Sequence, residues 1–502
     1  MLDWNLILDE TALAAVFPGE YTRFVRPIRE GLIVFLEGLP QSRQAEILSR
    51  QASLPATASI SHRLAALARD CPVLHKLGQV LARDQRLAPQ LREQLRELES
   101  LEPAVSDATI RAVVSQELGP LDRLGIQLSP PAIAEASVAV VIPFERVETS
   151  DAHPCREGVL KILKPGIEGR LELELDLLGR VGTHLDERCE ELKIPRLDYE
   201  DAFEQIREKL ANEIRLDHEQ QHLTQAAKFY ADEPRVHIPA LLEFCTPRVT
   251  AMERISGSKV TDHHLDGHCN QHELAELVMR ALIARPMFSL ASRPLFHGDP
   301  HAGNLFLTDE NRLGILDWSL VGSVNHEERI AIAQIIQHAV MLEPTGIAAV
   351  LESLSPRKRA DRRALVGVIE QAINRVRQGV LPGLSWLVKL LDDAVHSAGL
   401  RVGADLMVLR KSLHTLEGVV AEVAGSPFRI DDVLLTDFLW HFATEWPRRF
   451  VAPAQSRDFA TRLSNLDLAR TWLASPLALT RFWMAQSFDM LNACCEINRL
   501  VV

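Results

Sequence analysis

HGDPHAGNLFLTDENRLGILDW, residues 297–318, is the segment that indicates most about the architecture of this chain. Asp299 is followed by Asn304 five positions later, and Asp317 comes thirteen positions after Asn304. Between Asn304 and Asp317 lie two short apolar runs, LFL and LGIL, which the turn-rich segment TDENR separates. This pattern predicts a small β-hairpin with an acidic residue just beyond each end.

The two acids and the asparagine have the spacing that phosphoryl transfer uses in protein-kinase-like enzymes. There, one Asp orients the acceptor hydroxyl and takes its proton, an Asn holds a metal ion, and a second Asp holds Mg²⁺ against the phosphates. Carboxylate and amide oxygens suit Mg²⁺ because it is a hard cation that prefers oxygen ligands. The alternative is a surface hairpin with ordinary turn acids, which any one of these acids alone would favour. The complete arrangement between apolar strands favours phosphoryl transfer.

The composition is that of a soluble protein with two or more lobes. A chain of 502 residues can bury a large core, and its 47% hydrophobic and 25% charged residues are ordinary values. The net charge of −13 argues against a nucleic-acid binder, so no nucleic-acid partner is expected. Seven cysteines without a CxxC pattern indicate reduced thiols in a cytosolic protein.

No targeting or membrane-spanning segment is predicted. The N-terminal sequence MLDWNLILDE lacks a basic region, and no uncharged apolar run reaches the roughly 18 residues that a spanning helix needs. The segment from Thr471 onward is apolar but interrupted by charges, so we expect Trp483, Phe488 and Leu491 to pack against the protein's own core. The predicted localisation is cytoplasmic, and peripheral contact with the inner face of a membrane is left open.

Upstream of the hairpin the pattern changes from helices to strands. Apolar residues at helical spacing predict an N-terminal helical region, in which HKLGQ places Lys76 and Gln79 on one helix that ends before Pro89. From residue 130 onward, IAEASVAVVIPFERV predicts two strands around a small-residue turn, and GVLKILKPG predicts a third strand that carries Lys161. A lysine in an apolar strand should either point to solvent or meet an anion.

The chain between that strand and the hairpin alternates between helix and strand patterns. A segment with a strong helical pattern ends in AAKF and contains Glu213 and Glu219. Because these two glutamates are six residues apart, they should lie on different faces of a helix. HIPALLEFCTPRVTAMERISG then predicts two strands, and almost all of the chain after Asn325 has a helical pattern. The stretch TDHHLDGHCNQH contains histidine pairs at metal-ligand spacing, but its turn residues favour a solvated loop. Its histidines are His263, His264, His268 and His272.

Taken in order, these motifs resemble the UbiB/AarF atypical kinase family, also called the ABC1/ADCK group. The resemblance rests on HKLGQVLARDQRLAP, AEASVAVV, GVLKILKPGI, NEIRLDHE, HGDPHAGN and LDW, and it continues through SVNHEERIAIAQII and LRKSLHTLEGV. It covers roughly residues 70–430, and several motifs in the right order are far more specific than one. It implies an α+β, protein-kinase-like two-lobed fold with an N-terminal helical K-x-G-Q extension and a helical C-terminal region.

The resemblance also implies domain boundaries and site residues. The domains would be the extension at 1–128, a small lobe at 129–256, a large lobe with the catalytic loop at 257–430, and a C-terminal helical extension at 431–502. Lys161 resembles the phosphate-binding lysine with Glu219 as its helix partner, and the implied cofactors are ATP and Mg²⁺. Asp299 resembles the catalytic-loop aspartate, with Asn304 and Asp317 as metal ligands. The other implied nucleotide-site residues are Lys76, Gln79, Glu213, Ala136, Ser137, Met252 and Glu253.

The chain departs from the family pattern at three places and, at a fourth, from the HRD motif of protein kinases. The family's E-x-D reads Glu213-Ile214-Arg215, so a base replaces the second acid. The alanine-rich loop carries Glu135, which would repel a polyphosphate unless it faces away. The usual DFG reads DWS, which keeps the metal ligand but loses the conformational freedom of the glycine. HGD replaces HRD, so regulation through a phosphorylated activation loop is not expected.

Three functions are compatible with these residues. The first is an ATP-dependent atypical kinase or ATPase linked to lipid-like or small-molecule metabolism, since the family's usual role is support of quinone biosynthesis at membranes. The second is a small-molecule phosphotransferase of the aminoglycoside/choline kinase type, which fits HGD and LDW but lacks a K-x-G-Q helix. The third is a nucleotide-binding pseudokinase that acts as a scaffold, which Arg215 and Glu135 keep open. The phosphoryl acceptor is not identified by the sequence.

Overall fold

In the computed structural model of the chain, helices form the first part, as the apolar spacing of the sequence predicts. The structure describes residues 4–17, 19–55, 57–81, 88–96, 105–135, 137–146, 157–194, 203, 207, 210–211, 213–262, 270–354, 361–425, 428–474 and 476. The described residues divide into two compact units. The first comprises Met1–Gln221 and Ala240–Arg254, and the second comprises His222–Pro239 and Ile255–Val502.

The α-helices of the described residues are α1 (Trp4–Ile7), α2 (Glu10–Val16), α3 (Val25–Glu37), α4 (Gln41–Ser53), α5 (Ile60–Asp70), α6 (Pro72–Leu81), α7 (Pro89–Arg96), α8 (Asp107–Leu118), α9 (Leu121–Leu124), α10 (Ile167–Glu187), α11 (Cys189–Leu192), α12 (Leu216–Phe229), α13 (Gln271–Met279), α14 (Arg285–Phe288), α15 (His326–Val340), α16 (Pro344–Ser353), α17 (Arg362–Arg377), α18 (Leu384–Ala398), α19 (Ala404–Ala424) and α20 (Ile430–Val451). A π-helical segment, Arg280–Ala284, joins α13 to α14.

The β-strands of the described residues are β1 (Ile126–Leu128), β2 (Ala134–Glu135), β3 (Ala139–Arg146), β4 (Glu157–Leu163), β5 (Val236–His237), β6 (Val249–Glu253), β7 (Gly257–Lys259), β8 (Phe296–His297), β9 (Leu305–Thr308), β10 (Leu313–Ile315) and β11 (Val321–Gly322).

The first unit contains an antiparallel sheet in the order β1-β3-β4-β6, and β2 pairs with β3 at the end of that strand opposite to β1. Alternate residues of β4 point to opposite faces of this sheet. Leu160 and Ile162 join a buried cluster with Ile110 and Val114 of α8. Lys161 lies between those two strand residues and opposite Thr250 of β6. The strands predicted around the small-residue turn and at GVLKILKPG are therefore confirmed.

The N-terminal helices of the first unit pack around α10. Leu36 of α3 and Leu67 of α5 are buried in one apolar cluster with Leu171, Leu175 and Leu178 of α10. These residues of α10 recur at intervals of three and four, so they form one apolar face of the helix. The helix α6, which carries Lys76, contributes to the same cluster.

The second unit contains two small sheets, and one of them includes the predicted hairpin. Strands β9 and β10 pair antiparallel, with Leu305 opposite Ile315, which confirms the hairpin between Asn304 and Asp317. Strand β5 pairs parallel with β10, and β7 pairs with β9. Of the two strands predicted from residues 237–257, the second exists as β6, which pairs with β4. The first is wrong as a strand: only His237 lies in one, β5, and Leu241 and Thr246 form single antiparallel bridges to Met252 and Val249.

The described residues after Asn325 are mainly helical, as predicted. The Asn325 side chain accepts a hydrogen bond from the Glu328 backbone, and the Glu328 side chain accepts one from the Asn325 backbone, so a capping box begins α15. In the parts of the chain that the structure covers, no helix is both long and apolar enough to cross a membrane. The residues Trp483, Phe488 and Leu491, which we expect to pack on the core, lie outside the described residues.

Candidate functional site

An ion pair joins Lys161 of β4 to Glu219 of α12 in the first unit. The lysine Nζ lies 2.8 Å from both carboxylate oxygens of Glu219. The two side chains are largely buried, with 13% and 6% of their surface exposed. Of the two alternatives for a lysine in an apolar strand, solvent or an anion, the structure shows the anion. Burying a charge without a partner is costly, so the pair stabilises the lysine in this position.

A second ion pair in the same unit involves the K-x-G-Q helix. Lys76 of α6 places its Nζ 2.5 Å from Oε1 of Glu213. The Ser137 hydroxyl donates to Oε2 of the same glutamate at 3.4 Å. Ala136 and the side chain of Gln79 lie outside the described residues. The two glutamates therefore serve different lysines. They do not share one helix as predicted, because the chain leaves the helical conformation at Ile214 and Arg215 before α12 begins at Leu216.

Two of the departures from the family pattern are paired with nearby charges. Glu135 lies 2.7 Å from Lys164 Nζ, and its side chain is only 8% exposed. Its Oε2 also accepts a hydrogen bond from the Val105 backbone at 3.3 Å. Arg215, which is half exposed, donates to both carboxylate oxygens of Asp217. Each unusual charge is thus compensated within the first unit.

Two of the implied nucleotide-site residues, Met252 and Glu253, lie at the end of β6. Met252 and Glu253 pair with the first half of β4. The Glu253 amide donates to the carbonyl oxygen of Ala240 at 2.9 Å. The chain passes from the first unit to the second directly after Arg254. These two residues are therefore the last strand residues before the change of unit.

In the second unit, one side-chain and one backbone hydrogen bond join the HGD loop, residues 297–299, to the end of β10. The Asn304 amide nitrogen donates to the carbonyl oxygen of Asp299 at 3.1 Å, which leaves the amide oxygen as the atom suited to a cation. The Leu316 backbone donates to the carbonyl oxygen of Asn304 at 2.8 Å. Because Leu316 precedes Asp317, these bonds bring the three predicted residues of the motif together. That proximity agrees with the expectation from the motif.

The imidazole of His297 makes two hydrogen bonds that stabilise the same loop. Its Nδ1 accepts from the Asp299 backbone at 3.1 Å, and its Nε2 donates to the carbonyl oxygen of Leu316 at 2.9 Å. The side chain is completely buried, and burial lowers the pKa of its imidazole below the ordinary value. A neutral ring is required for this arrangement, since an imidazolium has no acceptor. His297 therefore fixes the loop without adding charge to it.

Trp318 fixes the segment that carries Asp317. The indole is fully buried, and its Nε1 donates to the carbonyl oxygen of Ile315 at 3.1 Å. Asp317 has a φ of +53°, a left-handed conformation that is uncommon for residues other than glycine and occurs often at functional sites. Its Oδ1 accepts from the Ser319 backbone at 3.2 Å. The tryptophan that replaces the family's phenylalanine thus anchors the segment in the core.

The chemistry of these side chains fits a nucleotide-bound divalent cation. Mg²⁺ takes oxygen ligands and is usually held by one or two carboxylates together with phosphate oxygens. The amide oxygen of Asn304 and the carboxylate of Asp317 supply ligands of this kind. Within the described ranges, no group of three or more His, Cys, Asp or Glu side chains could hold a metal ion. His263, His264 and His268 lie outside those ranges, while His272 lies in the first turn of α13.

The sequence did not indicate the contacts that α19 makes with the HGD loop. The Nζ of Lys411 lies 3.1 Å from Oδ1 of Asp299. The hydroxyl of Ser412, which is fully buried, donates to the carbonyl oxygen of His297 at 2.9 Å. The segment LRKSLHTLEGV has a helical pattern, but no local signal shows which of its residues reach a loop far upstream. Only the folded chain brings these residues together.

Comparisons with known proteins point to one family. The model of the ABC1 atypical kinase-like domain matches residues 97–351. Protein ACTIVITY OF BC1 COMPLEX KINASE 3, chloroplastic, of Arabidopsis thaliana is 28% identical over 291 residues, which are 57% of this chain and 40% of that protein. Probable protein kinase UbiB of Marinobacter nauticus is 24% identical over 399 residues, which are 76% of this chain and 69% of that protein. The match therefore spans well under two thirds of the Arabidopsis protein.

Among solved structures, the complex of Rv3197 with erythromycin from Mycobacterium tuberculosis aligns with a TM-score of 0.47 and 20% sequence identity. The alignment covers 76% of this chain and 94% of that chain. The family model, in contrast, accounts for just over half of the 502 residues. It spans the segment from the helix before the first sheet to α16. On this match, the chain belongs to the ABC1 atypical kinase-like family.

Proposed function

We propose that the chain is an atypical kinase or ATPase of the UbiB type that uses Mg-ATP. Membership of a kinase-like family supports ATP binding and, in general, a divalent metal. The observation that carries the proposal is the arrangement of Asp299, Asn304 and Asp317 in the second unit. The Asn304 side chain donates a hydrogen bond to the Asp299 carbonyl, and the Leu316 backbone donates one to the Asn304 carbonyl. These are the residue types that phosphoryl transfer requires at a catalytic loop and a metal site.

The proposed residues have separate roles in phosphoryl transfer. In the first unit, Lys161 would hold the α- and β-phosphates, and Glu219 keeps its ammonium group in place through two hydrogen bonds. In the second unit, Asn304 and Asp317 would hold the metal ion, and Asp299 would orient an acceptor hydroxyl and take its proton. Bound Mg²⁺ would neutralise charge that develops on the phosphates.

The remaining nucleotide-site residues and the lobes follow the resemblance. We propose that Lys76, Gln79, Glu213, Ala136 and Ser137 belong to the nucleotide pocket. The backbone of Met252 and Glu253 would meet adenine. The proposed domains are the K-x-G-Q extension at 1–128, the small lobe at 129–256, the large lobe at 257–430 and the C-terminal extension at 431–502. The acceptor would be a lipid-like or small molecule, with quinone biosynthesis as the pathway that the resemblance favours.

The two other functions receive less support. A phosphotransferase of the aminoglycoside/choline kinase type would have no use for the Lys76–Glu213 pair, which joins the K-x-G-Q helix to the helical region before α12. The pseudokinase interpretation depends on the charges of Arg215 and Glu135. The structure pairs Arg215 with Asp217 and Glu135 with a lysine, so neither charge is left to oppose an anion alone.

Thermal unfolding with and without Mg-ATP tests the proposal. A ligand at about one hundred times its Kd stabilises a protein by about 2.7 kcal/mol, so a clear rise in Tm is expected for the wild type. Asp317→Asn should lose this rise because its carboxylate is the main anchor between metal and phosphates. Asp309→Asn, an exposed acid in the turn of the same hairpin, is the matched control and should keep it. A wild type without any Mg-ATP response, or an Asp317→Asn variant with the full response, would contradict the proposed site. ATP hydrolysis by the wild type then separates an enzyme from a scaffold.

A further inference from the structure

One side of α19 supports the HGD loop and the segment after Asp317. Asp405 accepts a hydrogen bond from the Ser323 backbone at 3.1 Å. Three further residues of this helix reach the loop itself, namely Val408, Lys411 and Ser412. Spacings of three and four residues place side chains on one side of a helix. The loop is thus supported by a helix that lies far downstream in the sequence.

The contact with Val408 explains why the motif reads HGD. A Cβ atom on Gly298 would lie 2.9 Å from Cγ1 of Val408 and 2.9 Å from the carbonyl oxygen of Leu320. Such distances are too short for a side chain to fit without displacement of its neighbours. The Gly298 backbone also donates to Leu320 at 2.8 Å, so the loop cannot easily move away. An arginine at position 298, as in HRD, would not fit against α19.

Beside this glycine, α19 places a cation next to the proposed catalytic aspartate. Lys411 Nζ lies 3.1 Å from Asp299 Oδ1, with 45% of the lysine side chain and 22% of the aspartate side chain exposed. An ion pair with this exposure contributes little to folding stability, because solvent screens it. Its main effect is therefore local: it orients the carboxylate of Asp299 and compensates its negative charge.

We propose that Lys411 is a positioning residue for phosphoryl transfer, which holds Asp299 and offsets its charge so that the terminal phosphate of ATP can approach. The inference rests on the proposed function, in which Asp299 faces the acceptor side of that phosphate. Without Lys411, the aspartate would repel the phosphate that ATP has and ADP lacks. The lysine should therefore matter more for binding of ATP than for binding of ADP.

The test is the ratio of the Kd values for Mg-ADP and Mg-ATP, measured by titration calorimetry on the full chain. Lys411→Met should lower the preference for ATP roughly fivefold, a size typical of a partly screened charge. Lys411→Arg should keep the preference, since it keeps the charge. The double variant Lys411→Met/Asp299→Asn should recover it, because the repelling carboxylate is gone. A purely structural role of Lys411 would not be rescued by that second change.

Arg410→Met is the matched control. Arg410 is the neighbouring cation on α19, and it pairs with Asp392 of α18 rather than with the loop. The Arg410→Met variant should leave the ratio of the Kd values for Mg-ADP and Mg-ATP unchanged. An unchanged ratio in Lys411→Met, or no recovery in the double variant, refutes the role of Lys411 even when the wild type binds nucleotide. If Lys411→Met fails to fold by circular dichroism, Lys411→Gln takes its place. A wild type that binds neither nucleotide refutes the proposed function, and this inference with it.

Discussion

Replacing Glu174 with glutamine should stabilise the protein above neutral pH. Glu174 lies on α10 and is 2% exposed. Its Oε2 accepts a hydrogen bond from the Val73 backbone at 3.0 Å, in the first turn of the helix that carries Lys76. Burial raises the pKa of the Glu174 carboxyl from 4.5 to about 7, because the charged form is poorly solvated there. The Val73 hydrogen bond and the charges of Arg43 and Arg170 act in the opposite direction but do not reverse the rise.

The sign of the pH dependence follows from proton binding. Between the ordinary pKa of 4.5 and the raised value of about 7, the folded protein keeps a proton on Glu174 that the unfolded chain loses. The free energy of unfolding therefore falls as the pH rises through this window. At about 1.4 kcal/mol for each pH unit, the loss is about 3 kcal/mol by pH 8. Glutamine cannot ionise, and its amide oxygen can accept the same hydrogen bond. Glu174→Gln should thus match the wild type near pH 4.5 and exceed it by about 3 kcal/mol near pH 8.

Urea unfolding followed by circular dichroism measures this difference. The free energies of unfolding of wild type and Glu174→Gln are compared at about pH 5 and about pH 8, where the gap should widen by about 2.5 kcal/mol. Glu172→Gln, an exposed acid on the same helix, is the control and should show no such change. A gap between wild type and Glu174→Gln that is the same at both pH values would show that the carboxyl does not titrate in this window. An equal effect of Glu172→Gln would show that the change reflects overall charge.

Three further substitutions test the two units separately. Glu219→Gln should lower the free energy of unfolding by about 2 kcal/mol, because it removes the charge opposite a largely buried Lys161. Urea unfolding measures this change, and an unchanged midpoint would argue against a buried ion pair. Gly298→Ala should lower the free energy of unfolding by about 1–3 kcal/mol, because the methyl group of the new alanine would lie 2.9 Å from Val408. A Tm equal to that of the wild type would show that Val408 does not approach Gly298 so closely. Trp318→Phe should lower the free energy of unfolding by about 1–2 kcal/mol, because side-chain volume and the indole hydrogen bond are lost. This loss is measured as a lower Tm, and an unchanged Tm would mean that the core repacks around the phenylalanine.

Local chemistry made much of the candidate site predictable from the sequence. The hairpin between Asn304 and Asp317 could be predicted because alternating apolar residues and a turn-rich segment act over a few positions. The environment of Lys161 could also be narrowed to two alternatives, because a charged residue within an apolar strand should reach either solvent or an anion. Each of these inferences depends only on residues that are close together along the chain.

The partners of those residues were decided by the tertiary structure. Lys164 lies opposite Glu135 and removes the repulsion that the sequence suggested. Lys411 lies beside Asp299, although a long stretch of chain separates them. A glycine in HGD likewise becomes necessary only where α19 passes close to the loop. Such contacts join the surfaces of elements that are distant along the chain, and no local preference of the backbone encodes which surfaces meet. The sequence therefore determined which chemical groups are present and on which element each lies, whereas packing decided which charges compensate one another.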